Sequence, residues 1–166
     1  MLDDVLAPNL RLVICGTAVG ETSAAKGEYY ASPRNKFWRT LHEVGLTARR
    51  LAPREFRDLL TFGIGLTDVA KGQAGSDAGV NFSRARPNDV RAKVLRFAPA
   101  ILAFNGKKAA GVFLGSPNVR YGLQLASVGA TRLFVAPSTS GAANGHWDIE
   151  CWRELARLAG VEAERN

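Results

Sequence analysis

Two carboxylates, one imidazole and a run of hydroxyls stand out in this chain of 166 residues. Glu21 lies in a Gly-, Ser- and Ala-rich stretch between Thr17 and Arg34. Asp68 lies towards the end of the largely apolar run IGLTDVA. Ser138, Thr139, Ser140 and Gly141 open a Pro/Ser/Gly/Asn segment that ends with Asn144 and His146. A carboxylate can orient water and stabilise developing positive charge, and an imidazole exchanges protons near neutral pH. Each also has a plainer use: loop hydroxyls and a strand-end Asp commonly bond nearby backbone, and His146 can cap the helix that follows it.

Metal and cofactor chemistry find little footing. Cys15, Cys151, His42 and His146 show no short ligand spacing, so no metal site is expected and the cysteines read as reduced thiols. Gly16 and Gly20 bracket a turn, but G-T-A-V-G is not a dinucleotide fingerprint and has no P-loop Lys. No cofactor is expected.

These residues need a scaffold. RLVICG (residues 11–16), IGLTDVA (64–70), AILAFN (100–105) and TRLFVA (131–136) read as buried strands, with a minor strand over 125–128. Helices are predicted from Asn35, which caps KFWRTLHEVG, and from Pro53, Pro87, Lys107 and Trp147. Strand–helix alternation predicts one domain over 1–166 with a three-layer α/β/α fold and a mostly parallel sheet. Ligands in such sheets lie beyond the carboxyl ends of the strands. Three loops leave those ends: 17–34, 68–86 and 137–146. The segment from Gly72 to Arg86 is polar and reads as mobile.

The formal net charge is +7, which favours a polyanionic partner. No apolar run approaches membrane-spanning length, and the start, MLDDVLAPNL, does not read as a signal peptide. The expectation is a soluble monomer of the bacterial cytoplasm.

The stretch GTAVGETSAAKGEYYASPRNKFW resembles the first motif of the mismatch-specific uracil-DNA and thymine-DNA glycosylases, in the uracil-DNA glycosylase superfamily. Gly16, Gly20, Tyr30, Pro33, Asn35, Lys36, Phe37 and Trp38 take the motif's places without a gap. GIGLTDVAK and FVAPSTSG resemble the middle strand and the second motif. Ala18 and Val19 stand where that family has Asn and Pro. Small residues follow the P-S step in place of a Leu or Arg wedge. The chain thus looks like a divergent branch, with the type described from rhizobia as one candidate.

The resemblance implies a glycosylase that needs no metal and acts on DNA, single- or double-stranded. Its first substrate would be uracil, with hypoxanthine and xanthine as further candidates. Tyr30 would stack the flipped base, with Thr17 and Ala18 lining the pocket. Asp68 would either read base N–H groups or activate water in place of the missing Asn. Glu21, Asn144 and His146 complete the catalytic candidates, His146 as donor to the leaving base's O2. Ser23, Lys107, Ser138, Thr139, Ser140 and Gly141 would meet the DNA backbone. The alternative is a protein that binds damaged or abasic DNA with little turnover, since Ala18 offers no atom to hold water. A nucleoside-processing enzyme is a third reading.

Overall fold

The computed structural model describes residues 2–75 and 79–162. Five strands, β1 (Leu12–Gly16), β2 (Ile64–Asp68), β3 (Ile101–Asn105), β4 (Gly122–Val128) and β5 (Thr131–Ala136), form one sheet in the order β2-β1-β3-β5-β4. All neighbours are parallel except β4 and β5. The parallel strands are apolar on both faces, as burial on both sides requires. Alternate residues sort onto the two faces. Leu12, Ile14, Leu66 and Phe134 belong to one core, and Val13, Cys15, Phe104 and Val135 to the other.

Helix α2 (Phe37–Glu43), a 3-10 helix over Pro53–Phe62 and α5 (Ile149–Leu158) cover the first face through Phe37, Trp38, Leu41, Phe56, Leu59, Trp152 and Leu155. Helices α3 (Pro87–Phe97) and α4 (Lys107–Leu114) cover the second through Val90, Val94, Ala109, Ala110 and Phe113. The result is the expected three-layer α/β/α arrangement.

Several boundaries differ from the sequence reading. The loop 17–34 contains a six-residue helix, α1 (Glu21–Lys26), closed by Gly27 at φ +67°. The element from Pro53 is 3-10 rather than α-helical, and the loop 137–146 contains a 3-10 helix over Gly141–His146. The minor strand begins three residues earlier than expected, at Gly122, and runs antiparallel. Helix α5 starts at Ile149, where Asp148 Oδ1 accepts from Glu150 N at 3.0 Å. Asp148 is thus the cap, and His146 is not. Of the segment read as mobile, residues 76–78 lie outside the described residues; Phe82–Arg84 form a short 3-10 helix capped by Asn81. No helix among the described residues is long and apolar enough to cross a membrane.

Candidate active site

The carboxyl ends of β2, β1, β3 and β5 lie side by side, and their last residues are Asp68, Gly16, Asn105 and Ala136. At ~4.8 Å per strand the row spans about 14 Å. Gly16 pairs in register with Asp68. A side chain at Gly16 would begin 2.8 Å from Asp68 Oδ1 and 3.1 Å from the Tyr30 hydroxyl. Gly16, Asp68 and Tyr30 therefore meet at one point, and only a residue without Cβ lets two polar oxygens approach the strand end so closely.

Tyr30 sits at φ +50°, a left-handed backbone unusual for an aromatic residue. This turn points its ring back over β1, where it stacks on Phe37 with centroids 3.9 Å apart. One ring face is thus taken by Phe37. The hydroxyl is buried and makes no well-formed hydrogen bond among the described residues, although the Asn105 amide lies near it. Burial and the nearby Asp68 raise its pKa well above the ordinary value, so it remains a neutral phenol. Tyr29, by contrast, is a core residue at 1% exposure, and its ring packs edge-on to Phe56.

Asp68 is 4% exposed. Its Oδ2 lies 3.2 Å from Lys71 Nζ. Burial raises the Asp68 carboxyl above its ordinary 3.8, against the pull of Lys71. Burial alone would lower Lys71, but Asp68, Tyr29 and Asp4 outweigh it and hold the ammonium above its ordinary range. The charged pair is the state the geometry supports. Neither Lys71 nor Asp4 was singled out from sequence. Lys71 follows Asp68 by three residues, a spacing that one turn brings together; Asp4 gave no signal at all.

The β5 loop docks on the segment before α2. Thr139 N donates to Asn105 Oδ1 at 3.0 Å, and Asn105 Nδ2 donates to Thr139 Oγ1 at 2.9 Å. Lys36 N donates to Thr139 O at 2.9 Å. Thr139 is fully buried, so it anchors the loop and does not meet phosphate. Asn105 was missed from sequence although it ends a strand as Gly16 and Asp68 do. Ser138 and Ser140 are half-buried at the loop's mouth, where Ser138 Oγ accepts from Ser140 N at 3.2 Å. Gly141 owes its size to packing: a Cβ there would lie 2.9 Å from Arg34 Cβ.

The remaining expected residues scatter. The Ser23 hydroxyl is buried and accepts from Ala31 N at 2.9 Å, so it closes the first loop and does not contact DNA. Glu21 is exposed at the start of α1. Thr17 and Ala18 are half-buried just beyond Gly16, and Val19 forms an isolated bridge with Ala74. Asn144 Oδ1 accepts from Lys36 Nζ, which also lies 5.1 Å from the centre of the Trp147 ring. Burial and the nearby Arg39 lower the Lys36 pKa. His146 is exposed. Lys107 and Lys108 are exposed at the start of α4, each 4.4 Å from an aromatic ring centre, those of Tyr121 and Phe82.

A cavity of about 10 Å³, lined by Val19, Asp68, Lys71 and Gln73 among others, has room for a water molecule and none for a nucleobase. A wider groove of about 500 Å³ lies between the amino-terminal segment and α3, away from Tyr30.

The sequence model of the uracil DNA glycosylase superfamily matches residues 4–157. A solution NMR structure of a Methanosarcina acetivorans protein, described as a candidate uracil DNA glycosylase, superposes with a TM-score of 0.66 at 22% identity. The match covers 96% of this chain and 97% of that one, and it speaks for the fold.

Proposed function

Because the chain belongs to the uracil DNA glycosylase superfamily, we propose that this DNA glycosylase acts on uracil, hydrolysing its N-glycosidic bond to deoxyribose. The observation that carries the reading is the meeting of Gly16, Tyr30 and Asp68 at the strand ends, with Asp68 Oδ1 and the Tyr30 hydroxyl both against Gly16. Extruding a base from a duplex costs ~a few kcal/mol. Stacking on the face of Tyr30 opposite Phe37 would recover ~1–3 kcal/mol. Backbone N–H groups of the turn after Gly16 receive the base's O2. Among the described residues, Asp68 is the one buried carboxylate at this point. It serves either the N–H edge of the base or the attacking water.

Ser138 and Ser140, at the mouth of the β5 loop, and Lys107, at the start of α4, contact the phosphates that flank the extruded nucleotide. The loop that would fill the vacated stack carries Gly141, Ala142 and Ala143. Small side chains replace little of the lost stacking, so single-stranded DNA is a substrate too. Were Asp68 to read the base edge, a carboxylate that only accepts would take hypoxanthine and xanthine as well as uracil.

The test is release of uracil, thymine, hypoxanthine and xanthine from matched single- and double-stranded oligonucleotides, followed by alkali. Cleavage at uracil is expected in both forms. Ala18 supports one competing reading, a binder of damaged or abasic DNA. Retarded but alkali-stable oligonucleotides would favour it over the enzyme.

A further inference from the structure

The amino-terminal segment crosses the outer edge of β2 and pairs with it: Val5 and Leu66 exchange both backbone hydrogen bonds, at 2.9 and 2.8 Å. This pairing delivers Asp4 to the rear of the site. Asp4 Oδ1 lies 2.9 Å from Lys71 Nζ and accepts from Thr67 Oγ1 at 2.9 Å. Asp4 Oδ2 lies 2.5 Å from Lys93 Nζ. Lys71 Nζ also reaches the Tyr29 hydroxyl at 3.0 Å, the Leu2 carbonyl at 3.1 Å and Asp68 Oδ2 at 3.2 Å. The Tyr29 hydroxyl gives its own proton to the Asp3 carbonyl at 3.0 Å, so it is free to accept.

An ammonium has three protons, and Lys71 has four acceptors around it. It therefore has nothing left to donate to a ligand. Reading the uracil edge requires an acceptor for N3–H beside a donor for O4. An ionised Asp68 supplies only the acceptor, and Lys71 cannot supply the donor. A water molecule makes no such demand: it donates to a carboxylate and keeps its lone pairs for attack.

We infer that Lys71, seated by Asp4, is a positioning residue that holds Asp68 as a fixed anion, and that Asp68 orients the attacking water. With Oδ2 engaged by Lys71, Oδ1 at Gly16 is the atom that accepts from water. This rests on the glycosylase reading above. It also removes Lys71 as an amine for a lyase step, since its protonated nitrogen has no lone pair to attack the sugar.

Among the described residues, the charged and titratable groups around Asp68 are Lys71, Asp4, Lys93, Tyr29, Tyr30 and Cys15. Lys71 opposes the effect of burial on Asp68, so removing it lets the carboxyl rise further. The experiment combines carboxyl-carbon NMR titration of ¹³C-labelled Asp with the pH profile of single-turnover uracil release. Asp68 is assigned by Asp68→Asn, and both measurements are repeated for Lys71→Met and Lys71→Arg.

In the wild type, Asp68 is expected to be ionised at pH 7. Lys71→Met moves its titration and the acid limb of the rate profile to higher pH, with a rate at pH 6 on the order of tenfold below wild type. Lys71→Arg keeps the limb near its wild-type position. A wild-type Asp68 that is protonated at pH 7 overturns the inference even if Lys71→Met does not fold. So does an unmoved acid limb in a folded Lys71→Met. If no base is released at any pH while the Asp68 titration still responds to Lys71→Met, the glycosylase reading and the water role fail together. The hold of Lys71 on the carboxylate then stands.

Discussion

Gly16→Ala adds one methyl group to the end of β1, and the structure says what that methyl meets. It lies 2.8 Å from Asp68 Oδ1 and 3.1 Å from the Tyr30 hydroxyl, where ordinary contact begins at 3.4 Å. The carboxylate must retreat by about 0.6 Å and the phenol by about 0.3 Å. Neither is free to do so. Lys71 grips Asp68 at 3.2 Å, and Phe37 backs the Tyr30 ring at 3.9 Å. The backbone at Gly16 is not left-handed, so the cost is steric alone. Overpacking of this kind destabilises by about 1–3 kcal/mol. Displacing a catalytic group by ~1 Å slows reaction ~100-fold, so a loss of roughly tenfold to a hundredfold in single-turnover uracil release is expected.

Gly20→Ala is the control from the same loop. Gly20 has φ −67° and nothing within 4 Å of its Cβ position, so stability should stay within about 0.5 kcal/mol and the rate should not change. Urea unfolding and alkali-cleavage gels measure both variants. Wild-type turnover by Gly16→Ala would refute the claim that chemistry takes place where Gly16, Asp68 and Tyr30 meet.

Three further outcomes follow from particular contacts. Tyr30→Phe deletes a buried hydroxyl that makes no well-formed hydrogen bond among the described residues and should leave thermal stability equal or higher, whereas Tyr30→Ala should weaken binding of uracil-containing DNA by ~1–3 kcal/mol in a titration; equal binding by Tyr30→Ala would exclude stacking. Thr139→Val removes the acceptor of the half-buried Asn105 amide, and urea unfolding should report a loss of about 0.5–1.5 kcal/mol. Asp4 links folding to pH: burial alone would raise its carboxyl, but Lys93 and Lys71 hold it below the ordinary 3.8. Its contribution is therefore complete above that value and fades as pH falls through the lower folded value. Asp4→Asn should be less stable than wild type at pH 7, with the gap closing towards pH 3 in thermal melts.

The layers were legible because burial writes itself into strands. Leu12 and Ile14 face one core while Val13 and Cys15 face the other, and a run apolar at every position is what a sheet covered on both sides requires. The meeting of Gly16 and Asp68 was legible too, because each stands at the end of a predicted strand beside the other. What escaped depends on contacts between segments distant in sequence. Thr139 and Ser23 read as exposed hydroxyls in polar loops, yet their burial follows from Asn105 and Ala31, which no local pattern names. Asp4 reaches the site only because Val5 pairs with Leu66. The loop 17–34 hid a helix because six residues of Glu, Thr, Ser, Ala and Lys show no apolar stripe.

The pairing of Val5 with Leu66 has a practical bearing on how this protein is handled. An affinity tag or fluorophore joined ahead of Leu2 hangs from the same short stretch that carries Asp4, and any pull on it reaches the Lys71–Asp68 pair within a few bonds. The far end of α5 is a safer anchor. Arg11, at the opposite end of β1 from Gly16, donates to the carbonyl of Ala159 at 3.2 Å, which places the last turn of α5 at the end of the sheet remote from Gly16 and Asp68. Labels for binding or single-molecule work belong there, and any enzymology on amino-terminally tagged material should be repeated after the tag is removed.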